Sequence, residues 1–171
     1  QSLVGSRTNT LIRVLGNPRY DQVKAHADDF TRKRVELLLN RKKRLVAGSM
    51  HLEDEQIILD SLITYMAQKN DIKVLWVPHE PSELEIDRLM KRFQQSGLSV
   101  GVLWSKNDLR ISDERVVIVN VVGILSKLYW QGQIAYIGGG FSTGIHNVME
   151  PAIARLPVIF GPKFHHAHEA E

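Results

Sequence analysis

The sequence contains no cysteine, which excludes disulfides and thiolate metal centres as sources of stability and fits a reducing compartment. Nothing in it approaches the roughly 20 consecutive apolar residues of a membrane-spanning helix. It opens Gln1-Ser-Leu-Val with neither an initiator methionine nor a signal-peptide pattern, as expected of an excised or processed piece. Internal repeats, low-complexity tracts and Pro/Gly/Ser-rich linkers are also lacking. The 171 residues are therefore expected to form one domain, 1–171, with enough chain to bury a core. The net charge is only +3, and no nucleic-acid partner is expected. Basic residues do gather in Arg32-Lys33-Arg34 and in Arg41-Lys42-Lys43-Arg44. They read first as a solvated face with cations near a helix C-terminus, and second as a patch for anionic lipid or nucleic acid.

What is present is an alternation of short apolar runs and amphipathic stretches. Leu11–Leu15 reads as a strand, followed by turn chemistry at Gly16-Asn-Pro18-Arg-Tyr20 and a helix from Asp21 to about Leu39. Further strands are expected at Arg44–Gly48, Ile72–Val77, Leu98–Leu103, Arg115–Val119, Ile134–Ile137 and Pro157–Phe160. Helices carry Ile57 to Met66, Ile86 to Phe93, Gly123 to Trp130 and the residues after Asn147, and Ser105 to Asp113 reads as a surface loop. This order predicts an α/β fold, a Rossmann-like, mostly parallel sheet with helices on both faces and right-handed crossovers. In such sheets ligands bind outside the carboxyl ends of the strands. Ser49 to His51, Pro78 to Pro81, Gly138 to Glu150 and Gly161 to His165 are all expected on that edge.

The chemistry concentrates in Ile134 to Pro151. A buried strand runs into Gly138-Gly139-Gly140, a polar loop with Gly144, and then a helix start. Strand, glycine loop and helix N-terminus together favour an anion such as a phosphate. Glycine is tolerated wherever a strand leaves a sheet, but three in succession favour close approach of a ligand to the backbone. The spacing matches neither the phosphate-binding lysine loop nor the dinucleotide fingerprint. Asn147 and Glu150 fit an N-cap and its capping-box partner. A carboxylate at Glu150 also suits ribose hydroxyls, and composition does not separate these two readings. His146 is placed to reach a phosphate or sugar hydroxyl. Ser49 reads as a cap for the helix opened by Glu53, Asp54 and Glu55, with His51 beside it; an anion role requires that loop to close over the same pocket. His165, His166 and His168 lack the acidic partners of a metal site, and no metal site is expected. No Ser-His-Asp order or carboxylate pair demands nucleophilic or acid–base chemistry.

Gly138-Gly-Gly-Phe-Ser-Thr-Gly-Ile-His146-Asn147-Val-Met-Glu150-Pro151-Ala152, followed by Pro157-Val-Ile-Phe-Gly161-Pro162, resembles the C-terminal half of bacterial Kdo transferases. Gly16-Asn-Pro-Arg-Tyr-Asp21, Ala47-Gly-Ser49-Met-His51 and Val77-Pro78 match in the same order. These enzymes move 3-deoxy-D-manno-octulosonic acid (Kdo) from CMP-Kdo to a lipid A precursor in lipopolysaccharide synthesis. The resemblance implies the donor-nucleotide lobe of a two-lobed GT-B glycosyltransferase at the cytoplasmic face of the inner membrane, with no cofactor. The acceptor site, membrane-proximal anchor and general base then belong to an absent first lobe, so the catalytic residue is not assigned. The chain also ends where the family continues into further helices.

Carried onto this chain, the resemblance implies that Gly139, Gly140 and the helix start hold the CMP phosphate, that Glu150 takes the ribose, that His146 and Asn147 shape the loop, and that Ser49 and His51 approach the donor. Two positions depart from the family pattern. His79-Glu80 stands where many members have an arginine, and Asn120-Val121 with Gly123-Ile124 replaces an Asp-Thr and a Gly-Glu pair. A UDP-sugar-using GT-B enzyme and a non-catalytic binding module remain the alternatives.

Overall fold

A computed structural model describes residues 18–33, 41–107, 111–165 and 167–170. The strand expected at 11–15 lies outside them. Helix α1 spans Pro18–Arg32, so Pro18 starts a helix instead of a turn; its missing N–H is harmless in a first turn. The rest of the expected helix, beyond residue 33, lies outside the described residues. There follow β1 (Arg44–Met50), α2 (Leu52–Gln68), β2 (Lys73–Pro78), α3 (Glu83–Gln95), β3 (Val100–Leu103) and β4 (Val116–Val119). The chain continues through α4 (Leu125–Leu128) with a 3-10 turn at Tyr129–Gln131, β5 (Ile134–Ile137), α5 (Met149–Ile153) and β6 (Val158–Phe160). None of the described helices is long and apolar enough to cross a membrane.

The six strands form one sheet in the order β3-β4-β2-β1-β5-β6, and every pairing is parallel. The expected mostly parallel, Rossmann-like α/β sheet is therefore parallel throughout its described strands. Both faces are covered, which is why the strands read as continuous apolar runs. Alternate residues divide between the faces, as a strand's period of two requires. Val46, Leu75, Val77, Val117 and Val119 join Leu128, Tyr129 and Trp130 on one side. Ala47, Val74, Trp76, Val116 and Ile118 pack with Leu59, Ile63 and Met66 of α2 and Ile86, Leu89 and Phe93 of α3 on the other.

This order positions the site. The chain leaves β1 toward β2 on one flank, and β5 lies on the other, in register from Leu45↔Ile134 to Gly48↔Ile137. The exits of β1 and β5 thus diverge at a topological switch point, where parallel sheets open a crevice.

One local expectation needs correction. The N-cap of α5 is Val148, not Asn147, and the Asn147 Oδ1 accepts a hydrogen bond from the Met149 N–H at 2.9 Å. The helix starts one residue later than a capping box would place it, because Asn147 turns the chain locally through its own side chain.

Candidate functional site

At the exit of β1 the backbone is forced off the regular strand. Ser49 has φ of 52°, a left-handed conformation that costs a serine about 1–2 kcal/mol, and the register with β2 shifts between Ala47 and Met50. The kink keeps Met50 in the core and delivers His51 to the start of α2, where it is the N-cap. Ser49 is thus a strand residue and does not cap the helix.

Three residues into α2, Asp54 is fully buried. Its Oδ1 accepts from the Tyr136 hydroxyl at 2.9 Å, and its Oδ2 accepts from the Gly139 N–H at 2.6 Å and the His51 N–H at 3.3 Å. One carboxylate therefore ties α2, β5 and the glycine loop together. Burial and the bond to Asp54 push the Tyr136 phenol's pKa up, so it stays a donor. Sequence reasoning had Asp54 only as one of three acids in a first turn. The usable signal was its place three residues after the N-cap, the reach-back position of a capping box.

The glycine loop is packed against its own chain. A Cβ on Gly138 would lie 2.0 Å from the Ser49 carbonyl oxygen; Gly139 has φ of 89°, and a Cβ there would lie 2.3 Å from the Gly144 oxygen. The β6 exit closes the loop's far side, with Lys163 N–H donating to the Gly140 oxygen and Ile145 N–H donating to the Lys163 oxygen. The close approach that glycine permits is first of all an approach of backbone to backbone. The Gly138 and Gly139 N–H groups are engaged, with the Gly48 oxygen and Asp54 respectively.

Above this loop stand three histidines. The His51 and His79 rings stack at 4.3 Å between centroids, His79 and His146 at 4.8 Å, and His51 and His146 at 5.7 Å. A Cβ on Gly139 would lie 3.6 Å from the His51 Nε2, which places that ring against the loop. Burial and the neighbouring His79 lower the His146 pKa. Sequence reasoning singled out His51 and His146 and met His79 only as a departure from a family pattern. Of the histidines near the chain end, His165 is exposed and packs against Phe164, while His166 and the His168 side chain lie outside the described residues.

Glu150 occupies a different place. It lines a cavity of about 480 Å³ between α1 and the α4–α5 side, with His26, Phe30, Gly123, Ser126 and Trp130. Burial raises its pKa, opposed by His26. Ser49, His51, Gly139, Gly140, His146 and Asn147 do not line this cavity. The structure thus brings the predicted residues to one sheet edge in two groups, a histidine-and-glycine group over β1 and β5 and a carboxylate facing α1.

The basic run is engaged within the fold. Arg41 donates to the Ala154 oxygen at 2.6 Å and covers the Trp130 ring, Lys42 pairs with Asp113, and Lys43 with Asp71. Arg44 is buried.

No protein-family model matches the chain. It is 36% identical over 136 residues to a 3-deoxy-D-manno-octulosonic acid transferase of Chlamydia muridarum, covering 77% of this chain and 30% of that protein. It is 28% identical over 148 residues to the enzyme of the same name from Rickettsia conorii, covering 86% of this chain and 31% of the relative. The chain thus spans about 30% of the length of these curated relatives. Among solved structures it is similar to the C-terminal CMP-Kdo binding domain of WaaA from Acinetobacter baumannii, with a TM-score of 0.65 and 21% identity over 86% of this chain and 76% of that one. That likeness speaks to the fold.

Proposed function

Over most of its length this chain belongs to the 3-deoxy-D-manno-octulosonic acid transferase family, and from that premise we propose that it is the donor-binding lobe of such an enzyme, holding CMP-Kdo while the sugar passes to a lipid A precursor. The observation that carries this reading is the meeting of the β1, β2 and β5 exits at the switch point, with His51, His79 and His146 gathered over the glycine loop and the Ser49 backbone packed against Gly138. Residues 1–171 form one domain of a two-lobed GT-B enzyme. The first lobe supplies the acceptor site, the attachment to the inner membrane's cytoplasmic face and the general base.

The reaction breaks the bond between the sugar's anomeric carbon and the CMP phosphate oxygen while an acceptor hydroxyl attacks and loses its proton to the base. The lobe's task is to hold the donor and stabilise charge on the departing phosphate. The Gly139 N–H is engaged by Asp54, so stabilisation falls to the Gly140-to-Asn147 loop with the His51 and His146 side chains. Gly139 contributes the loop's shape. Glu150 accepts hydrogen bonds from the ribose hydroxyls in the cavity beside α1.

Calorimetric titration of CMP and UMP into the chain tests this. CMP is expected to bind more tightly than UMP, and Glu150→Ala to weaken CMP about tenfold or more, the loss of one to two charge-assisted hydrogen bonds. Equal affinities of wild type and Glu150→Ala would remove Glu150 from the ribose site. Preference for UMP would point to a UDP-sugar enzyme.

A further inference from the structure

Three histidines from separate segments converge at the carboxyl edge of the sheet: His51 at the start of α2, His79 just past β2, and His146 in the loop before α5. One ring nitrogen from each lies within 4.8 Å of the other two. The His51 Nε2 is shut off from solvent and makes no hydrogen bond. A buried polar atom left so costs about 1–3 kcal/mol unless something engages it. Ring stacking accounts for the imidazole faces and leaves that nitrogen without a partner.

From this convergence we propose that His51, His79 and His146 bind a divalent transition-metal ion of the zinc class. The donor set decides the metal. Three imidazole nitrogens without a carboxylate among them suit zinc, cobalt or nickel, and are a poor match for magnesium or calcium, which require oxygen ligands. A tetrahedral ion with bonds near 2.0–2.1 Å sets its ligand nitrogens about 3.4 Å apart. Closing from 4.8 Å requires the rings to tilt out of their stack, and the three side chains come from three separate segments. The backbone beneath is already fixed: the His51 N–H donates to Asp54, which also holds Gly139. Three protein nitrogens leave a fourth position open for water or for an oxygen of an anionic ligand. The site goes beyond donor binding and does not depend on it, because metal uptake is read without nucleotide.

The test uses the untagged chain, stripped of metal by a chelator. Zinc is titrated in competition with a chromophoric chelator, and cobalt is added to read its visible spectrum. One equivalent of zinc per chain is expected, with the intense cobalt bands of a four-coordinate site. His79→Asn and His51→Asn should each lower zinc affinity at least about 100-fold, since loss of even an outer-shell partner costs 10–100-fold. Asparagine is a good N-cap, so α2 should survive at position 51; an unchanged circular dichroism spectrum without metal checks this. His165→Asn should leave uptake unchanged. The proposal is overturned if uptake is not stoichiometric, if both variants bind zinc as the wild type does, or if His165→Asn loses it equally. Binding of inorganic phosphate that depends on these histidines, with no zinc uptake, would also overturn it.

Discussion

The Asp54 carboxylate accepts a hydrogen bond from the Gly139 backbone N–H at 2.6 Å, joining the first turn of α2 to the loop after β5. The same side chain holds the Tyr136 hydroxyl at 2.9 Å, so the shape of the switch-point crevice hangs on one buried acid. Removing it leaves two buried donors unpaired. Asp54→Ala is expected to destabilise the chain by roughly 2–5 kcal/mol in urea unfolding. Asp54→Asn keeps the shape and should cost less, while loosening the loop enough to weaken CMP binding. A change below about 0.5 kcal/mol in the alanine variant would remove Asp54 from this role.

Glu150 links stability to pH in the direction opposite to a salt-bridged acid. Burial raises its folded-state pKa above the ordinary 4.5, so the folded chain holds the proton more tightly than the unfolded one. Its contribution to stability therefore declines as pH rises from 4.5 through the raised value, and the ionised carboxylate is a standing cost above it. Glu150→Gln is expected to be more stable than wild type near pH 7.5, with the gap closing below the ordinary value. CMP affinity should fall in the same variant. A stability gap independent of pH would contradict the burial argument.

Gly139 combines a φ of 89° with a Cβ position 2.3 Å from the Gly144 oxygen. Gly139→Ala should cost at least about 2 kcal/mol, because the left-handed penalty and the backbone clash add. Chemical denaturation measures it, and a near-neutral result would mean that the loop sits differently against β1.

Ser49 offers the reverse case. Its φ of 52° suits glycine, so Ser49→Gly is expected to stabilise the chain by about 0.5–1 kcal/mol. If the hydroxyl contacts the donor, CMP affinity falls while the melting temperature rises. A drop in both would show that the kink needs the serine side chain.

The parallel sheet was legible because runs such as Val116–Val119 are apolar throughout, as strands covered on both faces must be. The placement of β4 between β2 and β3 was not, since it rests on long-range pairing that no local pattern encodes. Ser49, His51, Gly139 and His146 could be placed on one edge by the rule that exit loops gather there. His79 could not be read as part of a cluster, because only folding brings it against His51 and His146. The three glycines were legible as a special loop, yet their first cause is contact with Ser49, Gly144 and Gly161. Asp54 was hidden among neighbouring acids, and burial alone distinguishes it from the exposed Glu53.

The central claim is that the β1 and β5 exits hold the donor's nucleotide. Mapping CMP onto the isotope-labelled chain by amide chemical-shift changes tests it most directly. The account predicts saturable shifts confined to residues 49–54, 79–80, 123–126 and 138–150. Shifts absent from those residues, or confined to the basic segment around Lys42 and Lys43, would contradict it.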